Sequence, residues 1–314
     1  MGDWFVFVVA AGVAALWLYL LPAGQRGRAW HFALAPVPAL VVFGSTTLPD
    51  SDLRAALAVW LLSGAAALAL LLATWMAGTV GRNHGYMDVA YPIAPAVIAW
   101  TAALKQTSPL SPAAIAVLTA VTLWGARLAF QTFAQNHLGE REPYASWRAG
   151  GGSKWVWWSL FQVYFLQGVM LWIWSAPLVF AVLAPSGGPL VVAGFCVWAG
   201  GFLLQAVADR QLSRFRSSSA GKRQVLDTGV WALVRQPNYL GEAVMWWGYF
   251  IIGLAHPLGW IAIVSPIFTT WFMGFGSAGP FKERHMARTR GAAWQAYCDR
   301  TPRFFPFPRP RAGS

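Results

Sequence analysis

Charge is scarce in this 314-residue chain: Asp, Glu, Lys and Arg together make up 11% of it, while hydrophobic residues make up 57%. A soluble domain carries roughly 25% charged residues, so a soluble globular fold is excluded at the outset. Cysteine is nearly absent, and Cys196 and Cys298 stand too far apart to suggest a disulfide framework or a zinc cluster. The five histidines (31, 84, 137, 256 and 285) form no His-x-x-x-His pair, which argues against metal-dependent hydrolysis. No Gly-x-Gly-x-x-Gly follows a strand-like run, so a Rossmann domain is excluded on pattern. No Gly-x-Ser-x-Gly elbow marks a hydrolase nucleophile. The first apolar stretch lacks a basic segment before it and an evident cleavage site after it, so Asp3 to Leu21 reads as a retained span and not a signal peptide. Repeats and low-complexity segments are lacking too, apart from Ala-rich stretches suited to close helix packing.

What remains is apolar bulk in long runs, with 20 Trp and 20 Phe among it. About 20 apolar residues cross a bilayer core as a helix. Nine runs qualify: Trp4–Leu21, His31–Leu48, Ala55–Val80, Met87–Leu104, Pro112–Ala134, Trp155–Ala184, Leu190–Ala208, Pro237–Ala255 and Leu258–Phe275. The fold class is therefore an all-α polytopic membrane bundle of about nine spans, with seven to ten as the range. Pro36, Pro38, Pro92, Pro95, Pro177 and Pro266 are kink positions. With the N-terminus outside, residues 22–30, 81–86, 135–154, 209–236 and 276–314 face inward and hold 20 of the 23 Lys and Arg. That asymmetry follows the positive-inside rule. The net charge of +12 then reflects orientation and contact with anionic lipid headgroups, not nucleic acid.

Ionisable groups at membrane depth are costly and point to function. Asp88, Arg127, Asp209 and Glu242 all fall near the inner ends of their spans, as one polar cavity open to the cytoplasm would place them. Structural ion pairs and snorkelling are the other readings of the same residues. The last third is the most polar. Gln205, Asp209 and Arg216 fall on one helical stripe, with Arg214 beside it. The stretch Gly229 to Glu242 then places Pro237 at a helix start, with Asn238, Glu242 and Trp246 following on one face. Such a start favours an anion, and Arg235 beside it is a bidentate phosphate partner. Beyond the ninth span, Phe281 to Asp299 reads as an amphipathic surface helix. Met286, Ala293, Trp294 and Tyr297 would face inward there, and Lys282, Arg284, Arg288 and Arg290 would face headgroups. The proline-containing tail through Arg300 and Arg303 reads as an extended strap.

Gly229–Glu242, with Asp209 upstream and Glu283, Tyr297 and Arg300-Thr301 downstream, resembles the C-terminal domain of the steroid 5α-reductase superfamily. The resemblance is closer to its bacterial branch of polytopic membrane proteins, and covers roughly residues 80 to 310. Its core is Arg235-Gln-Pro237-Asn238-Tyr239-Leu-Gly241-Glu242, with Gln236 where the family more often has His. Asp88, Trp124, Arg127, Leu138-Gly139-Glu140 and Gln167-Gly168 are similar to the bacterial branch. The resemblance implies residues 1–80 as N-terminal helices before a reductase-like domain at 81–314, in a bacterial inner membrane with the C-terminus cytoplasmic. It implies NADPH as cofactor and hydride delivery to a lipophilic enone or alkene such as a steroid or isoprenoid. Gln205, Asp209 and Arg216 match cofactor-contacting positions, Asn238 and Glu242 match positions at the nicotinamide amide and ribose, and Trp246 matches a nearby aromatic. Tyr239, Glu283, Tyr297 and Arg300 lie in segments that close over adenine and phosphates.

Substrate chemistry is less clearly marked. The family's Gln-Glu pair has no counterpart in the N-terminal half. Asp88 with Tyr86 or Tyr91, and Glu140 with Tyr144, are the nearest acid–phenol groupings, and Tyr86 and Tyr144 also read as interfacial belt residues. Two other functions compete. Isoprenylcysteine methyltransferases share the C-terminal architecture and bind S-adenosylmethionine, which is not polyanionic and so makes less use of the arginines. A non-enzymatic transporter would place charge at the midplane in paired repeats.

Overall fold

The computed structural model describes residues 8, 12, 37–49, 51–185, 187–218, 224–276 and 278–307. All regular structure among them is helical. Six stretches are long and apolar enough to cross a membrane: Asp52–Val80, Tyr86–Leu104, Pro112–Asn136, Tyr144–Trp174, Pro189–Ser217 and Gly259–Arg300. The chain is a polytopic helical membrane protein. The expected span Trp4–Leu21 lies outside the described residues. Of His31–Leu48 the structure describes α1, Val37–Thr47. Pro237–Ala255 corresponds to a helix of 17 residues, Pro237–Gly253. The chain divides into two compact units, one of residues 1–187 with 253–260, the other of 188–252 with 261–314.

In the first unit α2 (Asp52–Val80), α3 (Tyr86–Leu104) and α4 (Pro112–Asn136) pack through small residues. Ser51 and Ser111 cap α2 and α4 by accepting from the N–H groups of Arg54 and Ala114. Ala94, Ala99, Ala102, Ala113, Ala114 and Ala120 are wholly enclosed. This is the close approach expected where lipid removes the hydrophobic drive between helices and packing must supply it. Pro92 and Pro95 sit inside α3 without ending it. A Cβ on Gly125 would stand 2.7 Å from the Pro92 carbonyl oxygen, so only glycine lets α4 come this near.

The expected span Trp155–Ala184 is broken differently. Helix begins earlier, at α5 (Tyr144–Gly151), after Pro143. It continues through α6 (Trp155–Ser159), a π-helical segment at Leu160–Phe165, and α7 (Leu166–Trp174). A break at Ser175 precedes α8 (Ala176–Leu183), which carries Pro177 in its first turn, where a missing N–H costs least. Trp60 on α2 and Trp172 on α7 lock this segment in place. Each indole N–H donates to the other's backbone carbonyl, at 3.1 and 2.8 Å, with ring centroids 4.7 Å apart.

In the second unit α9 (Pro189–Ser217) and α10 (Pro237–Gly253) meet backbone to backbone. Cβ atoms at Gly201 and Gly241 would stand 2.5 and 2.6 Å from each other's carbonyl oxygens, and Gly194 and Gly248 repeat the contact seven residues away along each helix. Next come α11 (Val264–Trp271), a π-helical segment at Phe272–Gly276, and α12 (Ala278–Arg300). The expected surface helix is thus present but kinked: Gly291 adopts φ 51°, ψ −124°, which resets the helical phase. Trp294, Tyr297 and Cys298 beyond the kink form a buried cluster that Met286 joins, whereas Ala293 turns outward, contrary to the expectation from unbroken periodicity. The tail packs back as a strap, with the Arg235 N–H donating to the Pro302 carbonyl at 3.0 Å and Phe304 buried against Gly274.

Candidate functional site

The first unit carries a polar cluster where α2 turns into α3. Asn83 bridges to the Asn136 carbonyl at 2.8 Å and accepts from the Gly85 N–H at 3.0 Å. Asn136 donates to the Gly85 carbonyl and to Asp88 Oδ2, at 3.1 and 3.0 Å. The other oxygen of Asp88 accepts from the Tyr144 hydroxyl at 2.7 Å, and Tyr144 is buried. Asp88 is therefore paired with Tyr144. Tyr86 is half-buried against Gly81, and Tyr91 packs edge-on against Trp124 and Trp174.

Glu140 has a different partner from the expected Tyr144. Arg148 grips it with Nε and Nη2 at 2.6 and 2.8 Å, and the His84 backbone N–H donates to it at 2.7 Å. Burial pushes this carboxyl up, but the Arg148 and His84 hydrogen bonds and the guanidinium charge outweigh burial and hold it below the usual carboxylate value. Burial and the nearby Arg148 lower His84 to about 4, against the pull of Glu140. His84 Nδ1 lies 3.0 Å from the Tyr164 hydroxyl, and Tyr164 sits on the π-helical segment. Such segments recur at functional sites. Sequence reasoning missed His84, Asn136, Arg148 and Tyr164. The Asn83-His84 pair between two apolar runs was the signal available.

In the second unit Gln205 donates to Glu242 Oε2 at 3.0 Å, with both side chains buried. Asp209 and Trp246 are buried near them in sequence, while Asn238 and Tyr239 are half-buried. Arg214 and Arg216 are exposed. The segment before α10 is cinched down: Gln211 accepts from the Val230 N–H, Trp231 donates to the Ala208 carbonyl, and the Tyr297 hydroxyl donates to the Trp231 carbonyl at 2.6 Å. Gln236 donates to the Gly279 carbonyl at 3.1 Å, so its side chain ties α10 to α12.

Around this segment lies an arginine–carboxylate network. Glu283 stands 3.3 Å from both Arg235 and Arg303, and Arg300 pairs with Asp227. Arg235 also donates to the Cys298 sulfur at 2.8 Å. Arg303 uses its Nε for Glu283, whereas Arg235 Nε is a buried N–H donor without a hydrogen-bond partner. Arg235, Glu283, Trp294, Cys298 and Asp299 line an open groove of about 410 Å³. An unused guanidinium donor beside a groove fits a phosphate oxygen of a dinucleotide.

Comparison with known proteins agrees with this picture. The family described as "Protein of unknown function (DUF1295)" matches residues 74–301. The Delta(14)-sterol reductase TM7SF2 of Mus musculus is 34% identical over 91 residues, which is 28% of this chain and 21% of that protein. The Delta(14)-sterol reductase LBR of Gallus gallus is 30% identical over 97 residues, 30% of this chain and 14% of its own length. The chain thus spans about a fifth or less of these curated relatives. No solved structure matches it. With most of its length covered by one family model, the chain belongs to the DUF1295 family, within the steroid 5α-reductase superfamily of membrane proteins.

Proposed function

We propose that the chain is a membrane-embedded, NADPH-dependent reductase that saturates a carbonyl-conjugated C=C bond in a lipophilic substrate, such as a steroid, an isoprenoid or another unsaturated lipid. The observation that carries the reading is the Tyr144–Asp88 pair, a buried phenol held at 2.7 Å by a carboxylate that Asn136 fixes in turn. Saturating the bond needs a hydride at one carbon and a proton at the other. When bound, NADPH supplies the hydride. The Tyr144 hydroxyl donates its hydrogen to Asp88 in the structure and would turn it to the substrate carbon once substrate is bound, Asp88 keeping Asn136 as its partner; a general acid in that position contributes about 10²–10⁴ in rate.

In the second unit Arg235, Arg300 and Arg303 would take phosphates, Asn238 and Glu242 the nicotinamide amide and ribose, and Gln205, Asp209 and Trp246 the surrounding wall. Tyr239, Glu283 and Tyr297 would shape the closing segments. The unpaired Nε–H of Arg235 and the concentration of arginines around it support a polyanionic ligand over S-adenosylmethionine. The similarity to sterol reductases supports the reaction class. In this reading cofactor enters from the cytoplasm, the N-terminus is outside, and substrate comes from the lipid.

Titration of the detergent-purified protein with NADPH, NADH and S-adenosylmethionine tests this, with tryptophan emission as the signal. NADPH is expected to bind, and Asn238→Ala and Glu242→Ala to lose at least about tenfold in affinity while remaining folded. Wild-type affinity in both variants would put the site elsewhere. Tight S-adenosylmethionine binding with no response to NADPH would overturn the reductase reading.

A further inference from the structure

Among the buried polar atoms of the first unit without a hydrogen-bond partner are Thr79 Oγ1, His84 Nε2 and Trp155 Nε1, which have no part in the reading above. Several contacts draw them to one patch. The His84 and Trp155 rings meet edge to face at 5.3 Å. Trp75 on α2 reaches the Val156 carbonyl and Ser159 Oγ, and Thr79 lies one turn further along that face of α2. His84 is fully enclosed, and Trp155 is 3% exposed. Unpaired groups so deeply buried are rare in native proteins and call for a partner.

The chemistry of that partner follows from counting protons. Tyr164 has one hydrogen-bond partner, His84 Nδ1 at 3.0 Å. If Nδ1 carried the hydrogen, both the Tyr164 O–H and His84 Nε2 would be left unsatisfied. If Tyr164 donates to Nδ1, only Nε2–H is left, so the imidazole carries its hydrogen on Nε2. With the Trp155 indole, two neighbouring N–H donors then lack an acceptor. Neither is a cation. His84 stays neutral above about pH 4. Arg148 spends two of its nitrogens on Glu140, Asp88 is bound by Tyr144 and Asn136, and Arg82, Arg141 and Lys154 are exposed.

We infer that His84 Nε2, with Trp155 Nε1, binds a neutral acceptor oxygen, the ketone or aldehyde carbonyl of a lipid, and disfavours lipid acids and phosphates. The inference rests on the reductase reading, whose substrate it narrows. A neutral carbonyl needs only donors. A carboxylate brought among buried uncharged donors loses its hydration, and the cation beside them, Arg148 at 5.5 Å over the Trp155 ring, is already neutralised by Glu140.

The test uses β-ionone, an isoprenoid enone, and geranate, an isoprenoid carboxylate, titrated at pH 7.5 into wild-type, His84→Asn and His84→Gln proteins. The infrared carbonyl band of bound ionone reports hydrogen bonding, and NADPH is titrated into the same samples. An Asn amide reaches about as far as Nδ1, which keeps a partner for Tyr164 and deletes the Nε2 donor; a Gln amide reaches the Nε2 position. Ionone is expected to bind the wild type with a down-shifted carbonyl band, and geranate at least about tenfold more weakly. His84→Asn should lose about tenfold in ionone affinity together with the band shift, and His84→Gln should keep both, with NADPH affinity equal in all three. Should His84→Asn not fold, Trp155→Phe removes a single donor and is expected to weaken ionone in the same direction. Failure of ionone to bind the wild type, geranate binding as tightly as ionone, or unchanged ionone binding in His84→Asn would overturn the inference. The NADPH titration decides the reductase reading separately.

Discussion

Replacing Arg148 with Met keeps the length of the side chain and removes both donors that grip Glu140. The carboxylate then stays in a place where its side chain is only 9% exposed, with the His84 N–H as its remaining hydrogen bond. Breaking a buried pair from one side costs about 3–5 kcal/mol. The Arg148 side chain is itself 24% exposed, so screening brings the expected loss to roughly 2–3 kcal/mol. For a protein of this size that corresponds to a melting temperature lower by about 3–5 °C. The pH dependence has a definite sign. The folded-state value of Glu140 is depressed, so its stabilisation is present above the ordinary carboxylate value of 4.5 and is lost as pH falls through the folded value. The deficit of Arg148→Met should therefore be full at pH 7.5 and shrink below about pH 4.5. The assay is a tryptophan-emission melt in detergent at one scan rate, since unfolding of such proteins is often irreversible. Adding Glu140→Gln should recover part of the loss by removing the stranded charge. A single variant that melts within about 1 °C of wild type at pH 7.5 would refute the reasoning.

Tyr144→Phe should leave NADPH affinity unchanged and lower enone turnover by about 10²–10⁴, read from NADPH consumption; full turnover would remove Tyr144 as the acid. Gly201→Val drives side-chain atoms into the Gly241 carbonyl, 2.5 Å from where a Cβ would stand, and should cost about 1–3 kcal/mol, seen as a lower melting temperature. His84 takes up a proton near 6.5 when unfolded and near 4 when folded. The unfolded chain therefore binds more protons between those values, and stability should fall as pH drops from about 6.5 towards 4. The shift sets an upper bound of about 3 kcal/mol, which screening reduces to roughly 1–2. His84→Gln should lack that part of the slope in melts at pH 7 and pH 5.

Hydropathy makes the spans legible because burial in lipid acts on every residue of a helix in the same direction. Asp52–Val80 and Pro112–Asn136 fall almost where the apolar runs place them. Helix breaks are less visible. The π-helical segment at Leu160–Phe165 buries three consecutive residues, Gln162, Val163 and Tyr164, and no local pattern in the sequence displays it. The kink in α12 rests on one glycine in a polar stretch that reads as continuous. Partners within the polar cluster were the hardest to foresee. Asp88 and Tyr144 are 56 residues apart and meet only when α5 folds against α3, whereas Glu140 and Tyr144, close in sequence, are drawn to Arg148 and Asp88 respectively. The Gln205–Glu242 pair was not foreseen either: the two helical stripes were legible, but the close approach of the glycines at 201 and 241 that brings them together shows only in the fold.

The wide turn at Leu160–Phe165 sets the angular bookkeeping of everything after it. There the Leu166 N–H reaches back to Phe161, one residue further than an ordinary helix allows. Removing a single amino acid from that turn would let the backbone relax into a regular helix with the downstream side chains still in phase, whereas regularising the turn at its full length would swing them by about 100°. In the second case Trp172 would leave Trp60, and the upper half of the segment would lose its anchor. The wide turn is a phase setting for half a transmembrane segment.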